Sequence, residues 1–307
     1  MLVQCLCNAR ALAHINSVQN YCFFLRYTNF DGIFSCFSVN NFLVCQKSTT
    51  FAAEMDTRSP EQIALIKLQK RLTKRFHKAS EEYGLLSDGD HILIGLSGGK
   101  DSLALVELLG RQARIRVPSI KVTAVHVSVE NIGYRSDLDY LKNFCAENGV
   151  ELIHQTIAFD ASTDYRKSHC FLCSWYRRMA LFEVAKSLGC NKIALGHHKD
   201  DIVETLLMNL IFQGAFGTIA PVLQMDKFPM QMIRPLCLIE ERELARYAEL
   251  RGYHKQDKQC PFEHESHRSD IKQLVTQLEQ FNPNVRDSIW GAMHNIQPAY
   301  LPHKITK

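Results

Sequence analysis

The stretch LIGLSGGKDSLAL, residues 93–105, decides how this chain is read. An apolar run gives way to Gly98-Gly99 and then to a helical pattern, the order of a strand, a tight turn and a helix start. Glycines at such a turn let backbone N–H groups approach an anion, and the following helix directs its positive end at the same place. Ser97 and Ser102 add hydroxyl donors, and Lys100 adds a charge. This is not a Walker A loop: Asp101 follows Lys100 where Ser or Thr is required, and Ile94 stands where the first glycine belongs. Asp101 would repel a bare phosphate, so a magnesium ion or the helix N-terminus is expected to hold it. The plainer alternative is a glycine turn that merely joins strand to helix.

The surroundings repeat the alternation. HILIGL (91–96), KVTAVHVSV (121–129), ELIHQTI (151–157), KIALGH (192–197) and the weaker QMIRPL (231–236) read as strands. SLALVELLGRQA, DLDYLKNFCAENG, SWYRRMALFEVAKSLG and DIVETLLMNLIFQG, which lie between them, read as helices. The pattern predicts an α/β fold: a parallel five-stranded sheet with helices on both faces and ligands at the carboxyl ends of the strands. Four regions follow: a leader over 1–54, a basic helix over 55–85, the α/β domain over 86–240 and a helical C-terminal segment over 241–307.

The leader holds five of the eleven cysteines and only two acids, Asp31 and Glu54. Arg26, Asp31 and several Asn break its apolar runs before they reach roughly 18 residues, which argues against a membrane span. No basic region precedes a clean apolar core, which argues against a secretory signal. An organelle-targeting segment is the lesser reading. The greater one is a disordered leader, or a translation upstream of a start at Met55. Eleven cysteines form no regular framework, so a reducing compartment, the cytoplasm, is expected.

A net charge of +4 is too mild to identify a partner, so the placement of charge must do so. In SPEQIALIKLQKRLTKRFHKASEEYG, Ser59, Pro60 and Gln62 form a helix start, and Leu65, Leu68, Leu72 and Phe76 an apolar stripe. Lys67, Lys70, Arg71, Lys74, Arg75 and Lys78 lie on the roughly opposite face with no acid among them. A solvated face is the bland reading. A polyanion such as tRNA would offset the repulsion.

In ALGHHKDDIVETLLMNLIFQG, Gly196 permits close backbone approach. Asp200 and Asp201 then sit at a helix N-terminus, with Glu204 about one turn on. One of the two is expected to cap the helix, and the pair suits magnesium bound with ATP. HCFLCSWYRR holds Cys170 and Cys173, which are expected just before a helix of the same sheet. These thiols could join Cys260 and His264 or His267 in a zinc site, form a redox pair, or be inert. Cys145, Cys190 and Cys237 fall on apolar faces and read as inert.

SGGKDS after an apolar strand resembles the PP-loop of the ATP pyrophosphatase superfamily, whose fold is adenine nucleotide α-hydrolase-like. That resemblance implies ATP bound by Ser97, Gly98, Gly99, Lys100, Asp101, Ser102 and Gly196, with His126 against adenine or ribose. GHHKDDIVET, CFLC followed by basic residues, and Cys260 after Arg234-Pro235-Leu236 come in the order of the tRNA 2-thiocytidine biosynthesis (TtcA-like) family. This second resemblance covers residues 68–297 and implies a [4Fe-4S] cluster on Cys170, Cys173 and Cys260, with one iron left open. Relatives often open a second C-x-x-C at the third cysteine, but here Glu263 takes the fourth place.

The implied activity is ATP-dependent tRNA sulfur transfer. Asp201, with Asp200, would hold Mg2+, and Lys100 and Arg177 would neutralise phosphate charge during adenylation of a pyrimidine C2 oxygen. The expected partners are tRNA and a sulfur donor, either a cysteine desulfurase or sulfide. A homodimer is left open and no membrane is expected. The competing readings are a PP-loop sulfur-transfer or desulfurating enzyme for a small molecule, and a nucleotide or iron–sulfur sensor without turnover.

Overall fold

A computed structural model describes residues 34–39, 42–47, 59–130, 136–158, 169–226, 228–254 and 267–302. The chain divides into two units, residues 1–61 and 62–307. In the first, β1 (Phe34–Val39) and β2 (Phe42–Lys47) pair antiparallel.

The second unit is built on a sheet of six strands: β3 (His91–Gly95), β4 (Lys121–Val129), β5 (Glu151–Ile157), β6 (Lys192–Ala194), β7 (Val222–Gln224) and β8 (Gln231–Ile233). Their spatial order is β5-β4-β3-β6-β8-β7, and every pairing is parallel except β7 with β8. The five expected strands are therefore present and parallel. The sixth, β7, is a three-residue antiparallel edge, too short to show an alternating pattern. The chain runs outward from β3 through β4 to β5, then crosses back to place β6 on the other side of β3. That reversal makes the β3/β6 boundary a topological switch point, where the carboxyl ends of an open sheet part to form a crevice.

Alternate residues of β3 feed two cores. Ile92 and Ile94 pack with Leu105 and Leu109 of α2 (Lys100–Ala113), Leu72 and Phe76 of α1 (Pro60–Tyr83), and Tyr247 of α6 (Glu241–Arg251). Leu93 faces the other way, onto Val125, Ile193, Met232 and Phe182, the last from α4 (His169–Ser187). A strand covered on both faces reads as a continuous apolar run, as HILIG does. The helices α3 (Leu138–Glu147), α5 (Lys199–Met208), α7 (Arg268–Phe281) and α8 (Val285–Ala292) complete the unit. Among the described residues, no helix is long and apolar enough to cross a membrane.

Buried charge is paired where it is structural. Glu107 of α2, fully buried, accepts from Tyr247 Oη at 2.5 Å, from Arg251 at 2.8 Å and from Arg111 at 2.9 Å, which ties α2 to α6. At the amino edge of the sheet, Asp90 accepts from Lys192 Nζ at 2.7 Å, Asn191 Nδ2 at 2.7 Å and the Ser87 N–H at 2.6 Å. Removing the Asp90 carboxylate leaves a buried ammonium without its counter-charge. Asp90→Ala is expected to lower the urea-unfolding free energy by roughly 3–5 kcal/mol. A change below about 1 kcal/mol would show that the pair carries little of the fold.

Candidate active site

The carboxyl edge contrasts with that satisfied amino edge. The residues 97–102 join β3 to α2, with Gly98 at φ +78°, a conformation open to glycine at little cost. Gly99 caps α2 and has no side chain to engage the first-turn N–H groups, so this helix end keeps the donors an anion needs. The hydroxyls are drawn inward: Ser102 Oγ donates to the Gly99 carbonyl at 2.9 Å, and Ser97 Oγ lies 3.2 Å from it and accepts from the Gly99 N–H at 3.3 Å. Lys100 Nζ sits between Asp101 and Glu241, 3.3 Å from each. Burial pulls its pKa down, but the two carboxylates outweigh that and raise it overall.

Across the switch point, Gly196 meets this loop directly. A Cβ on Gly196 would stand 3.2 Å from the Asp101 carbonyl carbon and from the Ser102 nitrogen, so only glycine lets the two loops touch without displacement. Around the loops that follow β3 and β6, three buried polar atoms have no hydrogen-bond partner among the described residues. They are His126 Nε2 on β4, Asp101 Oδ1 after β3 and His197 Nδ1 after β6. The His126 ring is 1% exposed, and its Nδ1 donates to the Leu96 carbonyl at 2.7 Å, which leaves Nε2 as an acceptor. Burial lowers its pKa against the Leu96 bond, and the charges of Arg177 and His154 add to the effect. His197 is lowered to about 4, chiefly by burial, so it is neutral. Buried polar atoms are normally satisfied, so three orphans around these loops fit a polar ligand such as a nucleotide.

The acidic motif opens α5. His198, not Asp200 or Asp201, is the N-cap: its backbone is extended, its Nδ1 accepts from the Asp201 N–H, and Asp201 accepts from the His198 N–H at 3.0 Å. The expectation that one aspartate would itself cap this helix is corrected, because Asp201 sits at the third helical position and closes a capping box. Asp200 accepts from the Glu241 N–H at 2.7 Å and contacts Arg286 Nε at 2.6 Å as an ion pair without hydrogen-bond alignment. Arg268 bridges Asp201 at 3.2 Å and Glu204 at 3.7 Å.

Sequence reasoning missed Arg268, Arg286 and Glu241. One signal was available: Arg268 opens α7, where the helix dipole disfavours a cation. Among the described residues, no group of three or more His, Cys, Asp or Glu is placed to hold a metal. Magnesium, however, needs only one or two carboxylates when phosphates and water supply the remaining ligands, and Asp200 and Asp201 offer that donor set.

The thiol motif lies inside α4, not before it. Cys170 and Cys173 are the second and fifth residues of this helix. Cys173 is half-buried against the cluster of Val129 and Leu172, on which Ile157 also packs, and Val129 and Ile157 end β4 and β5, so it too stands at the carboxyl edge. The Cys170 side chain and Cys260 fall outside the described residues, as does His264. Cys145, Cys190 and Cys237 are buried, and burial pushes their thiols up to about 12, 11 and 12, which makes them poor thiolate ligands. Cys173 is thus distinct among the described cysteines of the α/β unit, and its half-exposed thiol suits a thiolate-bound cluster.

The basic face of α1 is divided. Arg71 pairs with Glu243 at 2.8 Å, and Arg75 pairs with Glu243 and, at 3.8 Å, with Glu240. The expectation of six cations with nothing to pair is corrected: acids of α6 take two of them. Lys78 lies 4.0 Å from Glu82. Lys67, Lys70 and Lys74 complete the face.

Glu204 offers a direct test of this electrostatic arrangement. Burial lifts its pKa from 4.5 to about 7; Arg268 opposes the rise and Asp201 and Asp200 assist it. Between those two values the unfolded chain releases the proton and the folded chain keeps it. Stability therefore falls as pH rises through this window and levels off above it. Glu204→Gln removes the titration, so its advantage over wild type should grow by on the order of 3 kcal/mol from pH 4.5 to 7. Parallel stability–pH curves from denaturant melts would contradict this.

Similarity to known proteins extends over most of the chain. A family model described as a PP-loop domain matches residues 66–278. The tRNA-cytidine(32) 2-sulfurtransferase of Syntrophotalea carbinolica is 36% identical over 76% of this chain and 92% of the relative. Its counterpart from Geobacter sulfurreducens is 35% identical with the same coverages. Among solved structures, the U34-tRNA thiolase NcsA from Methanococcus maripaludis with its [4Fe-4S] cluster superposes with a TM-score of 0.61. That match has 29% identity and covers 75% of this chain and 80% of the other.

Proposed function

This chain belongs to the PP-loop family that includes the tRNA-cytidine(32) 2-sulfurtransferases, and on that premise we propose that it is an ATP-dependent tRNA sulfurtransferase. Its substrate is a cytidine of the anticodon loop, converted to 2-thiocytidine in the cytoplasm, with sulfur drawn from a cysteine desulfurase or sulfide. The observation that carries the reading is the β3/β6 switch point, flanked by the side-chain-uncapped N-terminus of α2 and by the ion-paired carboxylates of α5, with three buried polar atoms of β4, α2 and the loop after β6 left without hydrogen-bond partners.

The pyrophosphate of ATP takes the N-terminus of α2, within reach of Ser97, Gly98, Gly99, Lys100 and Ser102. His126 Nε2 accepts from the nucleoside. Asp200 and Asp201 hold Mg2+, which supplies charge neutralisation on the phosphates. The cytidine C2 oxygen attacks the α-phosphorus and pyrophosphate leaves, which turns a poor leaving group into AMP. Hydrosulfide, supplied as such or released from a desulfurase persulfide by a thiol reductant, then attacks C2 and loses its proton to solvent while the C–O bond breaks and AMP departs with that oxygen. Lys100, held between Asp101 and Glu241, and Arg177, close enough to act electrostatically on His126, neutralise charge that develops on the phosphates.

Cys170, Cys173 and Cys260 would hold a [4Fe-4S] cluster, which when bound supplies a place for sulfur beside the activated base. The half-buried Cys173 thiol at the carboxyl edge fits that role. The lysines Lys67, Lys70, Lys74 and Lys78 contact the RNA backbone, while Arg71 and Arg75 serve mainly to fix α1 on α6.

The test is ATP–pyrophosphate exchange by anaerobically purified protein. Exchange is expected only with RNA present and is expected to be lost in Asp201→Asn. Exchange without RNA, or none under any condition, would reject the assignment. Lys70→Ala with Lys74→Ala should lower the slope of log affinity against log salt by about 1 for each phosphate contact removed. An unchanged slope would remove α1 from the interface. Stoichiometric zinc in place of iron and labile sulfide would reject the cluster.

A further inference from the structure

Beyond α5 the chain makes a π-helical turn, Asn209–Gln213, that buries none of its residues. α5 sends Ile202, Val203 and Leu206 into the interior, and an uninterrupted α-helix would return an apolar side chain to that face one turn later. Instead Leu210 is 40% exposed, Ile211 and Phe212 are 53% exposed, and Phe216, just past the turn, is 53% exposed. Such π turns frequently mark functional positions.

Phe212 is not a loose apolar tip. Its ring stacks on the His267 imidazole with centroids 4.8 Å apart and planes inclined by 22°. His267 occupies the N-cap position of α7 without a side-chain cap bond, and its Nδ1 lies 3.3 Å from Asp270 Oδ2. The next residue, Arg268, reaches back to Asp201 and Glu204 and keeps nearly half of its side chain exposed. A flat, exposed ring pair with an arginine beside it therefore belongs to the same α5–α7 unit as the carboxylates of the crevice.

We propose that Phe212 and His267 form a stacking platform for a nucleobase of the RNA substrate, one that neighbours the cytidine being modified. The inference rests on the sulfurtransferase reading. For its C2 oxygen to reach ATP, the target base must leave its stack, and its departure strips neighbouring bases of a stacking partner. An aromatic face on the protein restores that contact, and it tolerates any base because every base has a π face. The flanking Arg268 suits the backbone of such a nucleotide.

The test uses the full-length protein and an RNA stem-loop carrying the cytidine in its loop, with affinity measured across salt concentrations. Phe212→Ala is expected to bind roughly tenfold more weakly. His267→Ala should act in the same direction, and Phe212→Trp should stay within about twofold of wild type because it keeps a ring. The salt slope should be the same in all variants, since no phosphate contact is lost. An abasic nucleotide beside the target should abolish the difference between wild type and Phe212→Ala. Equal affinity of both proteins for intact RNA would overturn the platform. If Phe212→Ala instead converts a dimer to monomer in sedimentation, the face is an interface between copies. Failure of the wild-type protein to bind the stem-loop would remove the sulfurtransferase reading as well, whereas equal binding removes the platform alone.

Discussion

The site depends on one close backbone approach, that of Gly196 to the Asp101–Ser102 segment. Strands β3 and β6 are parallel neighbours, so the loops at their carboxyl ends emerge side by side. Adjacent loops form one site only if nothing keeps them apart, and a single methyl group at Gly196 would press on the peptide that starts α2. With glycine there, the N-terminus of α2 and the loop that leads into the acidic start of α5 come to contact distance. The parallel topology and the chain reversal at β3 create the switch-point crevice, and the glycine closes it to contact distance.

Charge in the crevice is balanced internally. Asp200, Asp201 and Glu204 are covered by Arg286 and Arg268, and Lys100 is shared by Asp101 and Glu241. These arginines come from α7 and α8, so the C-terminal helices are part of the electrostatics of the site and not only packing against it. On the proposed reading, a metal-bound nucleotide entering here would compete with guanidinium groups for the carboxylates. Its phosphates in turn offer those guanidinium groups new partners. Exchange of partners costs less than exposing bare buried charge, which is the alternative for a carboxylate pair without counter-ions.

What was legible in the sequence was what is local in the sequence. The phosphate loop, the paired aspartates and the strand cores each carry their signal within a dozen residues, and the parallel sheet followed from their order. The signals that failed were non-local or too short. Glu243, the partner of Arg71 and Arg75, is far along the chain, so the basic face of α1 looked wholly unpaired. Arg268 and Arg286 reach the carboxylates only through tertiary packing. β7 has three residues, fewer than a periodicity needs. The C-x-x-C pair was expected before its helix, yet α4 begins at His169 and takes both in; the middling helix propensity of cysteine and aromatic residues leaves such a boundary weakly marked.

The central claim is that the crevice activates a cytidine of tRNA for sulfur transfer. It is tested most directly by mass spectrometry of tRNA nucleosides from cells with and without this gene. The account predicts 2-thiocytidine in the first and its specific loss in the second, restored by the wild-type chain but not by Asp201→Asn. An unchanged 2-thiocytidine level in cells lacking the gene would contradict it.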